Sequence, residues 1–64
     1  MTERLLLTVA EAATALGLSR SKLYELLAAG EVESVSIGRS RRVPREAVEE
    51  FVARLRAETE DLMP

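Results

Sequence analysis

Sixty-four residues with no Cys and no His make at most one small domain and exclude disulfides, thiolate or imidazole metal sites and a histidine general base. The formal net charge of −2 argues, taken alone, against a polyanionic partner. That average hides an asymmetry: residues 19–45 carry six basic against three acidic side chains, whereas residues 46–64 carry two basic against six acidic, the pattern of a nucleic-acid-facing surface followed by a solvated end.

Leu5, Leu6 and Leu7 are too short an apolar run for a signal-peptide core or a membrane span, so the expectation is a soluble, cytoplasmic protein with no membrane partner. Thr8-x-x-Glu11 is a capping-box pattern that starts a helix at Val9. Val9, Ala12, Ala13 and Leu16 follow at the spacing of one helix face, and Gly17 ends it. Leu18 is an apolar plug, and Ser19 is a second N-cap for a helix over residues 20–29 that stops at Gly30.

From Glu31 the period changes. Val35 and Ile37 alternate with Ser34 and Ser36, the signature of a half-buried strand. A turn over Gly38, Arg39 and Ser40 and a return through Arg41, Arg42 and Val43 complete a hairpin. Pro44 suits the first position of a third helix, whose stripe is Ala47, Val48, Phe51, Val52 and Leu55. Beyond Arg56 the apolar period is lost, and residues 57–64 are expected to form a frayed acidic tail on a single domain spanning 1–64.

The predicted order is helix, helix, hairpin, helix: a mainly α fold with a small two-stranded antiparallel hairpin. A hairpin alone is marginal in water, so its Val35, Ile37 and Val43 are expected to lean on the helices. The predicted core gathers Val9, Ala13, Leu16, Leu18, Leu23, Leu26, Leu27, Val35, Ile37, Val43, Val48, Phe51 and Leu55.

The chemistry-bearing candidates fall in two stretches. On helix 2, Leu23, Leu26 and Leu27 define the inward side, which turns Ser21, Tyr24, Glu25 and Ala28 outward with Arg20 and Lys22 on the flanks. Acidic residues normally occupy a helix's first turn; here both charges are positive. That inversion suits a polyanion, with Ser19 and Ser21 slim enough for close approach and Arg20 able to fork onto guanine or phosphate. The same four residues also read as an ordinary capped, solvated turn. Tyr24 can give its hydroxyl to a phosphate or simply half-bury its ring.

Arg39, Arg41 and Arg42 crowd the turn at Gly38, and a phosphate backbone or narrow minor groove would neutralise them; a solubilising hairpin tip is the other reading. Glu46, Glu49 and Glu50 belong to the wet side of helix 3. There is no cleft-forming acid-base pair and no Gly-rich phosphate loop, so no enzyme, no cofactor and no small-molecule substrate are expected.

The segment Leu7-Thr-Val-Ala-Glu-Ala-Ala-Thr-Ala-Leu-Gly-Leu-Ser-Arg-Ser-Lys-Leu-Tyr24, then Gly30, then Val35-Ser-Ile-Gly-Arg-Ser-Arg-Arg-Val-Pro-Arg-Glu-Ala47, resembles the excisionase family of DNA-binding domains, relatives of the MerR-type winged helix. The resemblance covers residues 6–55. It implies a winged helix-turn-helix in which helix 2 enters the major groove and the wing reaches the minor groove or backbone. Carried over by position, the contacts are Ser19, Arg20, Ser21, Lys22 and Tyr24 on the helix and Arg39, Arg41 and Arg42 on the wing.

Glu25 departs from the pattern, because a basic residue is common there; an outward carboxylate repels phosphate unless it accepts from cytosine. The implied role is sequence-specific binding and bending of double-stranded DNA to direct phage or mobile-element excision, with a site-specific integrase and neighbouring copies on the DNA as partners. A small MerR-like transcriptional regulator is the alternative, and an adaptor that binds protein rather than DNA is the rival from outside the class.

Overall fold

The structure, a computed structural model, describes residues 4–62, with side chains described as far as Glu60. The chain runs β1 (Leu6–Thr8), α1 (Val9–Leu16), α2 (Arg20–Ala28), β2 (Val35–Ile37), β3 (Ser40–Pro44) and α3 (Arg45–Leu62). The architecture is mainly helical, as expected, but the sheet has three strands in the order β1-β3-β2, all pairs antiparallel.

Local chemistry accounts for the first two helices. Thr8 holds extended backbone and its Oγ1 accepts from the Glu11 N–H at 3.0 Å, while the Thr8 N–H donates to Glu11 Oε1 at 2.9 Å. Both halves of the capping box are therefore made. Gly17 closes α1 at φ +74°, a conformation that a side chain would strain. The Leu18 N–H then reaches back to the Ala13 carbonyl at 2.8 Å. Ser19 caps α2 by accepting from the Lys22 N–H at 3.1 Å, and a three-residue turn joins the two helices.

The capping box is also a pH element. The backbone hydrogen bond from Thr8, followed by the Arg4 charge, outweighs desolvation and holds the Glu11 carboxyl below its ordinary value. A group with a lowered folded-state pKa stabilises the fold above its unfolded value and loses that contribution as pH falls through the folded one. Thermal melts taken from neutral pH down through the carboxylate range should show a flatter acid limb for Glu11→Gln than for the parent chain. Thr8→Ala should cost about 1 kcal/mol at neutral pH.

Strand β1 is where the sequence reading stops short. Leu6, Leu7 and Thr8 pair with Pro44, Val43 and Arg42, and the Arg45 N–H donates to the Leu5 carbonyl at 2.9 Å. Thr8 thus ends a strand and caps a helix at once. Pro44 closes β3 and the first helical residue is Arg45, not Pro44 as expected.

Across the hairpin Ile37 faces Ser40 and Val35 faces Arg42. The loop is therefore two residues, Gly38 and Arg39, rather than three. Gly38 alone of the pair has positive φ, +61°, as a type II′ turn requires. Paired residues share a sheet face and neighbours along a strand alternate, so Leu7, Ser36, Arg41 and Val43 point one way and Thr8, Val35, Ile37 and Arg42 the other. Val43, fully buried, marks the first face as the one against the helices. Val35 is accordingly only half-buried and Ile37 is 57% exposed, which corrects their placement beside Val43.

The core comprises Val9, Ala12, Ala13, Leu23, Leu27, Val32, Val43, Ala47, Val48 and Phe51, with Leu7, Leu16 and Leu26 packed against it. Ala12, Val32 and Ala47 join it beyond the expected list, while Leu18 is half-buried. Leu55, expected inside, is 45% exposed, because α3 outruns the body it packs on. Its helix continues to Leu62 through residues expected to fray, with side chains 57–60 exposed; positions 63 and 64 lie outside the described residues. Arg54 fastens α3 to the α2–β2 loop: its guanidinium donates to the Glu31 carbonyl, lies 3.9 Å from the Glu31 carboxylate, and sits over the Phe51 ring 5.8 Å from the centroid.

Candidate nucleic-acid interface

The first turn of α2 carries Arg20, Ser21 and Lys22 on exposed positions because Leu23 and Leu27 take the buried side. Ser19 spends its hydroxyl on capping, so what it offers a ligand is small size rather than a free acceptor. With no acid in this turn, the helix's positive pole and Arg20 act in the same direction on an approaching anion. Lys22 Nζ lies 3.8 Å from Glu25 Oε1. Arg20 has no ion-pair partner among the described residues. Tyr24 is 51% exposed.

The wing arginines diverge. Arg39 occupies the second loop position, exposed and without an ion-pair partner among the described residues. Arg41 emerges on the helix-side face of the sheet and donates from Nε to Ser34 Oγ at 3.0 Å. Arg42 lies half-buried on the outer face and donates from Nη1 to the Arg41 carbonyl at 3.1 Å. Crowding in sequence is relieved by the pleat, since consecutive strand residues project to opposite faces. Arg39 is exposed at the tip of the hairpin, and Arg41 and Arg42 flank it on opposite faces.

No group of three or more metal-ligating side chains occurs among the described residues. The larger surface concavities are an open groove of about 420 Å³ along α3, lined by Val52, Leu55, Arg56, Thr59 and Glu60, and one of about 380 Å³ between α3 and the α2–β2 loop, edged by Glu31, Glu33, Glu50 and Arg54. No described helix is long and apolar enough to cross a membrane.

Two helices joined by a three-residue turn, the second with an exposed cationic first turn, and an arginine-tipped hairpin beside them define a winged helix-turn-helix module of the DNA-binding class. Comparison with known proteins agrees. A family profile described as a helix-turn-helix domain matches residues 6–56. A probable excisionase from Saccharopolyspora erythraea is 60% identical over 55 residues, covering 86% of this chain and 56% of that protein.

An excisionase from Streptomyces ambofaciens is 43% identical over 47 residues, covering 73% of this chain and 76% of that protein. The chain belongs to the excisionase family of helix-turn-helix DNA-binding domains. It spans little more than half the length of the Saccharopolyspora relative. No solved structure matches it.

Proposed function

We propose that this domain binds short double-stranded DNA sites sequence-specifically and acts in the cytoplasm as a recombination directionality factor, bending DNA to favour excision of a phage or mobile element. The observation that carries the reading is the exposed, acid-free first turn of α2 on a helix-turn-helix scaffold. In this reading α2 lies in the major groove, with Arg20, Ser21 and Tyr24 towards bases or sugar-phosphate and Lys22 on phosphate. Arg39 enters the adjacent minor groove, while Arg41 and Arg42 attract backbone on either side of the wing.

The names of the two relatives favour excision over transcriptional control, although both roles use the same surface. No catalytic step belongs to the domain: its contribution is a DNA shape, with strand exchange left to an integrase. The exposed apolar seam of Val52 and Leu55 on α3 supports a protein contact as well, with that integrase or with a neighbouring copy on DNA. A single module of this size contacts about 600–1,000 Å², so side-by-side binding would supply the remaining affinity.

The test is a mobility-shift titration at two salt concentrations on random duplex and on DNA flanking the element, followed by an excision assay with the flanking sites on a plasmid. Steep salt weakening with discrimination among duplexes, and an excised circle that depends on the domain, are expected. Absence of binding even at low salt would establish the protein-adaptor reading instead. Specific binding that alters a nearby promoter without raising excision would make the domain a regulator.

A further inference from the structure

Ser21, Glu25 and Ala28 run along the middle of the exposed side of α2, directly away from Leu23, Leu26 and Leu27 when successive residues turn by about 100°. Arg20 and Lys22 lie on the two rims of that face. Glu25 therefore occupies the centre of whatever surface the helix offers, and its side chain is 70% exposed. Its ionic contact among the described residues is Lys22 at 3.8 Å, an open i,i+3 pair of the kind that constrains neither partner strongly. Any polyanion approaching this face meets a carboxylate first at its centre, with cations only at the edges.

A carboxylate accepts and never donates. In the major groove, guanine presents two acceptors and thymine a carbonyl and a methyl, all of which a carboxylate at hydrogen-bond distance disfavours. Cytosine presents its N4 amino group, and adenine pairs that donor with an acceptor at N7 that suits an amide better.

We propose that Glu25 is a specificity-determining residue that accepts a hydrogen bond from a cytosine N4 amino group and rejects sites lacking that donor. The proposal deepens the DNA-binding reading and rests on it. Lys22 completes the arrangement: in the free protein it neutralises Glu25, and on DNA its flexible stem swings to a rim phosphate, leaving the carboxylate facing the base. Discrimination here works largely by repulsion, so the residue lowers affinity for random DNA while raising selectivity.

Fluorescence-anisotropy titrations of the full chain, Glu25→Gln and Glu25→Ala test this on three duplex sets: the best site selected from random DNA, its single-pair replacements, and random duplex. Both variants should bind random duplex several-fold more tightly and lose a preference of about tenfold for cytosine at one base pair. The glutamine keeps size and helix propensity, and circular dichroism confirms that each variant is folded. Unchanged preference at every base pair, with Arg20→Ala still shifting it, would overturn the proposal while leaving DNA recognition in place. A parent chain that discriminates among no duplexes overturns both.

Discussion

Leu23→Ala is expected to remove most of the stability of this domain. Leu23 is fully buried on the side of α2 that packs against α1, in one cluster with Val9, Ala12, Ala13 and Val43. Replacing a leucine in such a site costs about 2–5 kcal/mol, the spread reflecting how far the neighbours can close the cavity. At roughly 0.05–0.15 kcal/mol per residue, 64 residues have only about 3–10 kcal/mol to lose.

The melting temperature should therefore fall by at least about 8 °C, since each kcal/mol moves it by about 4–8 °C in a domain this size. Circular dichroism at the helical minimum reads it directly. Leu55→Ala is the matched control: the side chain is 45% exposed and should shift the melt by no more than a surface change does. Similar melts for the two leucine variants would mean that the α1–α2 packing described here is wrong.

The second large effect is on DNA binding. Arg41→Ala removes a backbone-facing cation of the wing, so all sequences should weaken about alike and the salt slope should drop by about 1. Arg42→Ala, on the outer face of the wing, should act in the same uniform way. Arg20→Ala, on the rim of α2, should instead change preference among sequences by about 1–3 kcal/mol. Combined, Arg20→Ala and Arg41→Ala should abolish detectable specific binding at physiological salt while leaving the melt near that of the parent. Titrations at two salt concentrations separate the classes, and a wing variant that altered preference would exchange the roles assigned to helix and wing.

These expectations differ in how directly they were legible from residues. Both faces of α2 follow from Leu23, Leu26 and Leu27, and the exposed set on it is the one found in the structure. The wing was legible as a cluster of charge but not as a geometry. That Arg41 rather than Arg42 takes the helix-side face and bonds Ser34 depends on strand register, which three cations within four positions do not encode. Glu25 was legible in sequence both as an outward residue of α2 and as an outlier against the family pattern; the structure adds its 70% exposure and its open contact with Lys22.

Helices α1 and α2 were determined by the sequence itself, since their signals are local. Thr8 and Glu11 sit within one turn, Gly17 and Ser19 mark the break, and the apolar period needs only neighbours to show. The sheet was decided by tertiary structure. A strand of three leucine-rich residues has too few positions to display a period, and β1 exists because β3 offers it a partner.

The hairpin turned on a single residue of loop length. Three loop residues would have put Val35 opposite Val43 on the helix side, whereas the two present put it opposite Arg42. Side chains alternate with a period of two, so a one-residue change in register reverses every face, and no pattern within the strands themselves distinguishes the alternatives.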